Sequence, residues 1–328
     1  MLRLSLGTGD YDRCMPIKDG RVKVQGVELN PLFLDAEELF FRMARYQDLD
    51  IAEFSLSSYV LSVSRGNSPF IAIPVFLSRA FRHGNILINS HSGITRPENL
   101  KGKRIGIPEY QMTALVWQRG ILKDEYGVDP SDIQWVAGGE EQPGRDERIP
   151  WTPPEGISIE QAPEGKTLTG MLLEGEIDGL LCARLPSAFN NGDPRIKRLW
   201  EDSKAAEQDY FKRTGIFPIM HTVVIKREIY EQNPWLAPEL VKAFQEAKDI
   251  AEKNLFDLTA LKTMLPWGVF EAEEERKIFN GNIWPYGIEE NYHVLDTFLQ
   301  YHFEQGLSER RVRVEELFAP NTVKQSAI

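Results

Sequence analysis

The run FIAIPVF, residues 70–76, is apolar at every position. A strand without a polar side belongs in a sheet covered on both faces, the arrangement of α/β proteins. Other short strand-like runs recur along the chain: LRLSLGT (2–8), LDIAEF (49–54), LKGKRIGIP (100–108), EIDGLLCAR (176–184) and IMHTVVIKR (219–227). Helical patterns separate them. In DAEELFFRMARY, Asp35 with Glu38 three residues on forms a capping-box pattern, and Leu39, Phe40 and Met43 share one face. SLSSYVLSV places Ser55 at a cap and Leu56, Tyr59, Val60 and Val63 at i, i+3, i+4 and i+7. TALVWQRGILKDEYG follows with Thr113 as cap and Gly127 as stop, and TLTGMLLEG is a further helix. Three helical stretches close the chain: PELVKAFQEAKDIAEKN with Pro238 at an N1-like position, EENYHVLDTFLQYHFEQG ending at Gly306, and SERRVRVEELF. Strands alternating with helices predict largely parallel sheets, with ligands beyond the carboxyl ends of the strands.

Residues 138–165 break the pattern, being rich in Pro, Gly and charge; a loop this long is either functional or a surface excursion. The 328 residues carry 38 Lys+Arg against 49 Asp+Glu, a net charge of -11. That excludes nucleic acid or an anionic membrane as the main partner, so an anionic ligand has to be met by local basic groups. Two cysteines, Cys14 and Cys182, form neither a disulfide framework nor a zinc spacing. The first residues lack a signal-peptide pattern and no apolar run is long enough to span a bilayer, which predicts a cytoplasmic protein.

Local basic groups cluster in SRAFRHG, residues 78–84, directly after the apolar run. On an extended backbone Arg79, Phe81 and His83 share one face and Arg82 takes the other, so all three charged groups meet one ligand only if the chain turns there. A solvated strand end competes with an anion pocket as the explanation. GTGDYDR (7–13) lacks the third glycine of a dinucleotide loop and reads as a strand-end loop, with Asp10 or Arg13 as ligand contacts. Ser55 is either a cap or an anion contact at a helix N-terminus, and Tyr110, Gln111 and Thr113 repeat that arrangement later. Glu53 is either an exposed turn carboxylate or a buried acid with raised pKa. Arg184 ends a strand where a ligand contact fits, Asp178 reads as structural, and His221 is either a satisfied core histidine or functional. His91, His293 and His302 lack metal-ligand spacing, and no zinc-peptidase, P-loop or hydrolase motif occurs.

The segments SRAFRHG, LKGKRIGIPEYQMTALVWQRGILKDEYGV and LLEGEIDGLLCARLP resemble the 4,5-dihydroxyphthalate decarboxylase family, whose fold is similar to that of type II periplasmic binding proteins. The resemblance runs from LDIAEFSLSSY to GLSERRVRVEELFAP. It implies an α/β fold of two lobes with a ligand cleft between them: 1–88 and 216–328 in lobe one, 89–215 in lobe two. It also implies decarboxylation of a hydroxylated aromatic dicarboxylate, 4,5-dihydroxyphthalate, to 3,4-dihydroxybenzoate and CO2. On that reading Arg79, Arg82 and Arg184 clamp a carboxylate, His83 and His221 are the candidate acids, and Glu53 or Asp10 handles the catechol hydroxyls. No organic cofactor is required, and a divalent metal held from both lobes stays open. The expected partner is a small aromatic acid, with a homo-oligomer as the assembly. The alternatives are a non-catalytic binding protein of the same fold, or a different lyase built on it.

Overall fold

The computed structural model describes residues 1–145 and 147–323. The chain divides into two compact units, the first made of Met1–Ser78, His221–Leu295 and Arg313–Ile328, the second of Arg79–Met220 and Asp296–Val312. Each unit is built on its own sheet.

The sheet of the first unit contains β1 (Leu2–Thr8), β2 (Val27–Phe33), β3 (Ile51–Ser55), β4 (Phe70–Arg79) and β11 (Ile219–Lys226), in the order β2-β1-β3-β11-β4. β1 pairs parallel with β2 and β3, whereas β11 enters antiparallel to β3. The apolar run of β4 is buried as its composition requires, with Ala72, Ile73, Val75, Phe76 and Leu77 at 0% exposure. Helices Ala36–Arg45 and Leu56–Ser64 follow β2 and β3. Asp35 caps the first of them by accepting from the Glu37 N–H, and Ser55 caps the second by accepting from the Ser58 N–H.

The second sheet contains β5 (Ile86–Asn89), β6 (Arg104–Ile107), β7 (Gln134–Ala137), β8 (Ile159–Gln161), β9 (Gly179–Leu181) and β10 (Ile196–Arg198). Its order is β10-β5-β9-β6-β7-β8, parallel from β9 to β8, with β5 antiparallel to both β9 and β10. Leu87, Val136, Leu168, Met171, Leu172, Ile177, Leu180 and Ile196 form its core. The Pro- and Gly-rich stretch 138–165 supplies β8 and so belongs to the sheet. Helix Thr113–Tyr126 stops at Gly127, whose φ of 63° places it in the left-handed region where glycine carries no Cβ penalty.

Three local expectations are corrected. The cap of helix Thr113–Tyr126 is Met112, so Thr113 is its first residue. Helix Leu236–Leu255 begins two residues before Pro238. SERRVRVEELF forms only the short 3-10 turn Val314–Glu316, because Val312 and Val314 are buried on alternate positions as in an extended segment. Helices Ser203–Thr214 and Gly268–Ile278 had no counterpart in the sequence reading.

Candidate active site

Glu53 lies on β3 and His221 on β11, and the antiparallel register pairs Glu53 with Val223 and Ser55 with His221. Residues two apart on a strand share a face, so the Glu53 and His221 side chains are diagonal neighbours on one face of the sheet. Glu53 Oε1 is 2.6 Å from His221 Nδ1. The rest of the carboxylate is also engaged: the Gly9 N–H donates to Oε2 at 2.9 Å and the Tyr11 hydroxyl donates to Oε1 at 2.9 Å.

Glu53 is at 0% exposure, and burial alone would raise its pKa. The hydrogen bond and charge of His221 oppose this, and with the Gly9 and Tyr11 bonds they bring the carboxyl below its ordinary value. The acid is therefore ionised, and an ionised carboxylate only accepts, so Nδ1 carries the proton and Nε2 points away from Glu53. The imidazole and Phe40 rings meet in a T-shaped contact at 4.6 Å between centroids, which restrains the ring plane. The expectation of a buried acid at Glu53 is thus half right: the burial is there, but its partners lower the pKa.

The loop after β1 completes this arrangement. A Cβ at Gly9 would lie 2.5 Å from Cζ of Tyr11, so only glycine lets the Tyr11 ring fold back beneath it. Arg13 lies over the Tyr11 ring at 4.2 Å and over the Trp284 ring at 4.3 Å, and its Nε donates to the Leu77 carbonyl at 2.8 Å. Burial and the nearby Glu53 push the Tyr11 hydroxyl pKa up, and the same two causes raise the Cys14 thiol to about 12. Burial thus favours the protonated thiol at Cys14. Asp10 is exposed and faces Lys18 at 3.8 Å. Ser55, opposite His221, caps helix Leu56–Ser64, whose first-turn residues Ser57 and Ser58 are buried.

The SRAFRHG residues lie in the second unit, apart from Ser78. β4 ends at Arg79, and the backbone turns through the 3-10 segment His83–Asn85. Arg79 Nη1 donates to the Phe217 carbonyl at 3.2 Å, and Arg82 Nη1 to the Ala183 carbonyl at 3.1 Å. The two guanidinium groups thus bond to different backbone carbonyls, and burial lowers the Arg82 pKa to about 10. His83 is 1% exposed between Trp200 and Tyr210, at centroid distances of 5.0 and 5.2 Å. Burial, then the charge of Arg213, lower its pKa to about 4, so the imidazole is neutral. Arg184 is exposed.

Tyr110, Gln111 and Thr113 do gather at the start of helix Thr113–Tyr126, but a carboxylate of the chain itself sits there. Glu147 accepts from the Tyr110 N–H at 2.5 Å and from the Gln111 N–H at 3.3 Å. Burial, with the Glu109 charge adding to it, raises the Glu147 pKa to about 7. Trp151 stacks on Tyr110 at 4.8 Å, and Arg145 pairs with Glu109 at 2.5 Å, so the 138–165 stretch is held down at several points.

Sequence reasoning missed Gly9, Tyr11 and Glu147. The first two were inside GTGDYDR, where the signal was an aromatic hydroxyl two residues after a glycine; Glu147 stood among too many charges to be singled out. Among the described residues no group of three or more His, Cys, Asp or Glu side chains converges in a way that could hold a metal ion.

Comparison with known proteins gives this geometry its setting. Residues 23–142 match the family model described as "ABC transporter, phosphonate, periplasmic substrate-binding protein". The periplasmic aliphatic sulphonate binding protein SsuA from Escherichia coli aligns with a TM-score of 0.55 over 99% of this chain and 100% of its own, at 13% identity, which establishes the fold. A 4,5-dihydroxyphthalate decarboxylase from Comamonas testosteroni is 47% identical over 329 residues, covering 100% of this chain and 99% of that protein. One from Pseudomonas putida is 47% identical over 213 residues, covering 64% of this chain and 82% of that protein. A resemblance of that extent spans both units and includes Glu53 and His221 within its range, and the chain belongs to the 4,5-dihydroxyphthalate decarboxylase family.

Proposed function

We propose that this protein converts 4,5-dihydroxyphthalate to 3,4-dihydroxybenzoate and CO2, with the Glu53–His221 pair as its proton-transfer centre. The observation that carries the proposal is the 2.6 Å contact between a fully buried, ionised Glu53 and a His221 ring whose side chain keeps 16% exposure. Glu53 holds the tautomer that leaves Nε2 available, and its charge offsets that of the imidazolium form.

A hydroxyl para to the departing carboxylate gives its proton to water and pushes electron density to the ring carbon bearing that group, and the hydroxyl takes a proton back from water once CO2 has left. His221 delivers the Nε2 proton to this carbon. The carbon–carbon bond then breaks, CO2 leaves, and the bonding pair returns to the ring and restores aromaticity. Water returns the proton to His221, so the net change is one proton gained by the ring and one CO2 released. Such positioned acid catalysis contributes about 10²–10⁴-fold. The buried start of helix Leu56–Ser64 supplies first-turn N–H groups for the retained carboxylate, next to the strand position that pairs with His221. Arg13, fixed between Tyr11 and Trp284, adds positive charge on the same unit.

Cys14 and Cys182 are buried free thiols, which fits a reducing compartment, and the proposal places the enzyme in the cytoplasm. Incubation with 4,5-dihydroxyphthalate, following CO2 release and the product absorbance, tests the activity. His221→Asn is expected to retain substrate binding and lose turnover. The match of residues 23–142 to a transporter binding-protein model favours a second reading, capture of a small aromatic anion without reaction. Saturable binding of 4,5-dihydroxyphthalate without CO2 release would select it.

A further inference from the structure

Residues 147–151, in the Pro- and Gly-rich stretch, lie against the start of helix Thr113–Tyr126, within the second unit. Glu147 accepts from the Tyr110 and Gln111 N–H groups, and Arg148 donates to both oxygens of Glu109 at 3.3 Å. The Gln111 side-chain amide donates to the Ile149 carbonyl. Trp151 completes the attachment, stacked on the Tyr110 ring and donating from Nε1 to the Gly306 carbonyl at 2.8 Å. The fit is incomplete. Tyr110 Oη, Gln111 Oε1 and Arg119 Nη1 are all buried there with no hydrogen-bond partner. Arg119 is 1% exposed, its guanidinium lies 3.6 Å over the Tyr110 ring, and its Nη2 donates to the Tyr110 carbonyl. Buried polar groups are ordinarily satisfied, so a closed state that leaves three unmet in one place is held weakly.

We propose that residues 147–151 are a latch that leaves the start of helix Thr113–Tyr126 when Glu147 ionises, freeing the Tyr110 and Gln111 N–H groups. The charged groups around Glu147 are Glu109 from the loop before the helix, Arg119 from the helix, and Arg145 and Arg148 from its own stretch. Both of the latter pair with Glu109, at 2.5 and 3.3 Å, and the Glu147 carboxyl is left with two amide donors. Burial and the Glu109 charge favour its neutral form, and these outweigh Arg119, which favours the charged one. Released into water, the same carboxyl ionises at its ordinary value. Linkage therefore favours the closed latch in acid and the open one as pH rises through about 7. Tyr110 and Gln111 were expected to contact substrate, so an open latch clears the way to them. That consequence rests on the decarboxylase reading, whereas the latch itself does not.

Hydrogen exchange of the full-length protein tests this, read by mass spectrometry at the Tyr110 and Gln111 amides and corrected for the intrinsic pH dependence of exchange. Protection of both amides is expected to fall at least about tenfold from pH 5.5 to pH 8. Glu147→Gln keeps the acceptor and loses the titration, so its protection is expected to stay level across that range. Trp151→Ala removes the stacking contact and is expected to lose protection already at pH 5.5, with an unchanged circular dichroism spectrum. A wild type whose protection does not change with pH overturns the proposal. So does a pH dependence retained in Glu147→Gln, which would place the titration on another group. Full protection in Trp151→Ala at pH 5.5 overturns it too, because the segment is then not what covers the amides. At pH 8 the wild type is expected to exceed Glu147→Gln about tenfold in kcat/KM for 4,5-dihydroxyphthalate, and equal values would overturn the coupling to substrate. Exchange needs no substrate, so a wild type that releases no CO2 overturns the decarboxylase reading while the exchange data still decide the latch.

Discussion

Glu53 and His221 sit on adjacent antiparallel strands two residues out of register, and the offset brings a fully buried carboxylate within 2.6 Å of an imidazole. Removing His221 leaves the Glu53 carboxylate without its mate where water does not reach. Breaking such a pair costs about 3–5 kcal/mol, whereas removing both costs less. His221→Ala is therefore expected to lower the urea midpoint as well as abolish turnover, and Glu53→Gln with His221→Ala to recover part of the stability with none of the activity. A double variant destabilised by the sum of the two single losses would show that the two groups are not coupled.

Tyr11 shares Oε1 of Glu53 with His221. Tyr11→Phe keeps the ring that underlies Arg13 and removes only the hydroxyl bond. The expected result is a fall in kcat of about tenfold with KM nearly unchanged, because one hydrogen bond to a charged group is worth about 1.5–3 kcal/mol and only part of it bears on proton transfer. Steady-state kinetics across pH decide it: a purely structural Tyr11 would change stability and leave the kcat profile in place.

His83 separates two assignments of the acid. Its folded-state pKa of about 4 is depressed from 6.5, so its contribution to stability is present above 6.5 and is lost as pH falls towards 4. His83→Phe is expected to flatten the dependence of the urea midpoint on pH in that window. With His221 as donor, a folded His83→Phe also keeps its turnover, and its loss would bring His83 back into the chemistry.

Glu147 has the opposite sign. Its pKa rises from 4.5 to about 7, so its favourable contribution is present below 4.5 and is lost as pH rises through 7. Glu147→Gln keeps an acceptor for the Tyr110 and Gln111 N–H groups without the buried charge. Thermal melts above neutral pH are expected to show the variant more stable than the wild type, and the two converging in mild acid. A wild type that stays the more stable of the two in alkali would assign Glu147 a favourable ionised state.

The elements that sequence patterning located were those with strong local signals. The unbroken apolar run of β4 and the stripe of Leu39, Phe40 and Met43 both declare their periods within a dozen residues. Helix Gly268–Ile278 was missed because it buries little besides Val269 and Ala272, which leaves no stripe to read. Within the site, Glu53 and His221 were both named, yet as separate candidates with separate alternatives. What joins them is the register of two strands far apart in the chain, and no local pattern encodes that register. Strand alternation set Arg79 and Arg82 on opposite faces of an extended backbone. The carbonyls that receive them come from Phe217 and Ala183, remote in sequence, and were not legible there.

The strand order β2-β1-β3-β11-β4 has a consequence for how the chain is made. The ribosome releases β3 and β4 early, but the strand that lies between them arrives ~150 residues later, roughly 10–30 s at ordinary elongation rates. During that interval both strands have an unsatisfied edge, while the whole of 79–220 has already emerged and is free to fold. The nascent first unit is thus the stage at which this protein is most exposed to mispairing, and His221 reaches Glu53 only when that gap is closed.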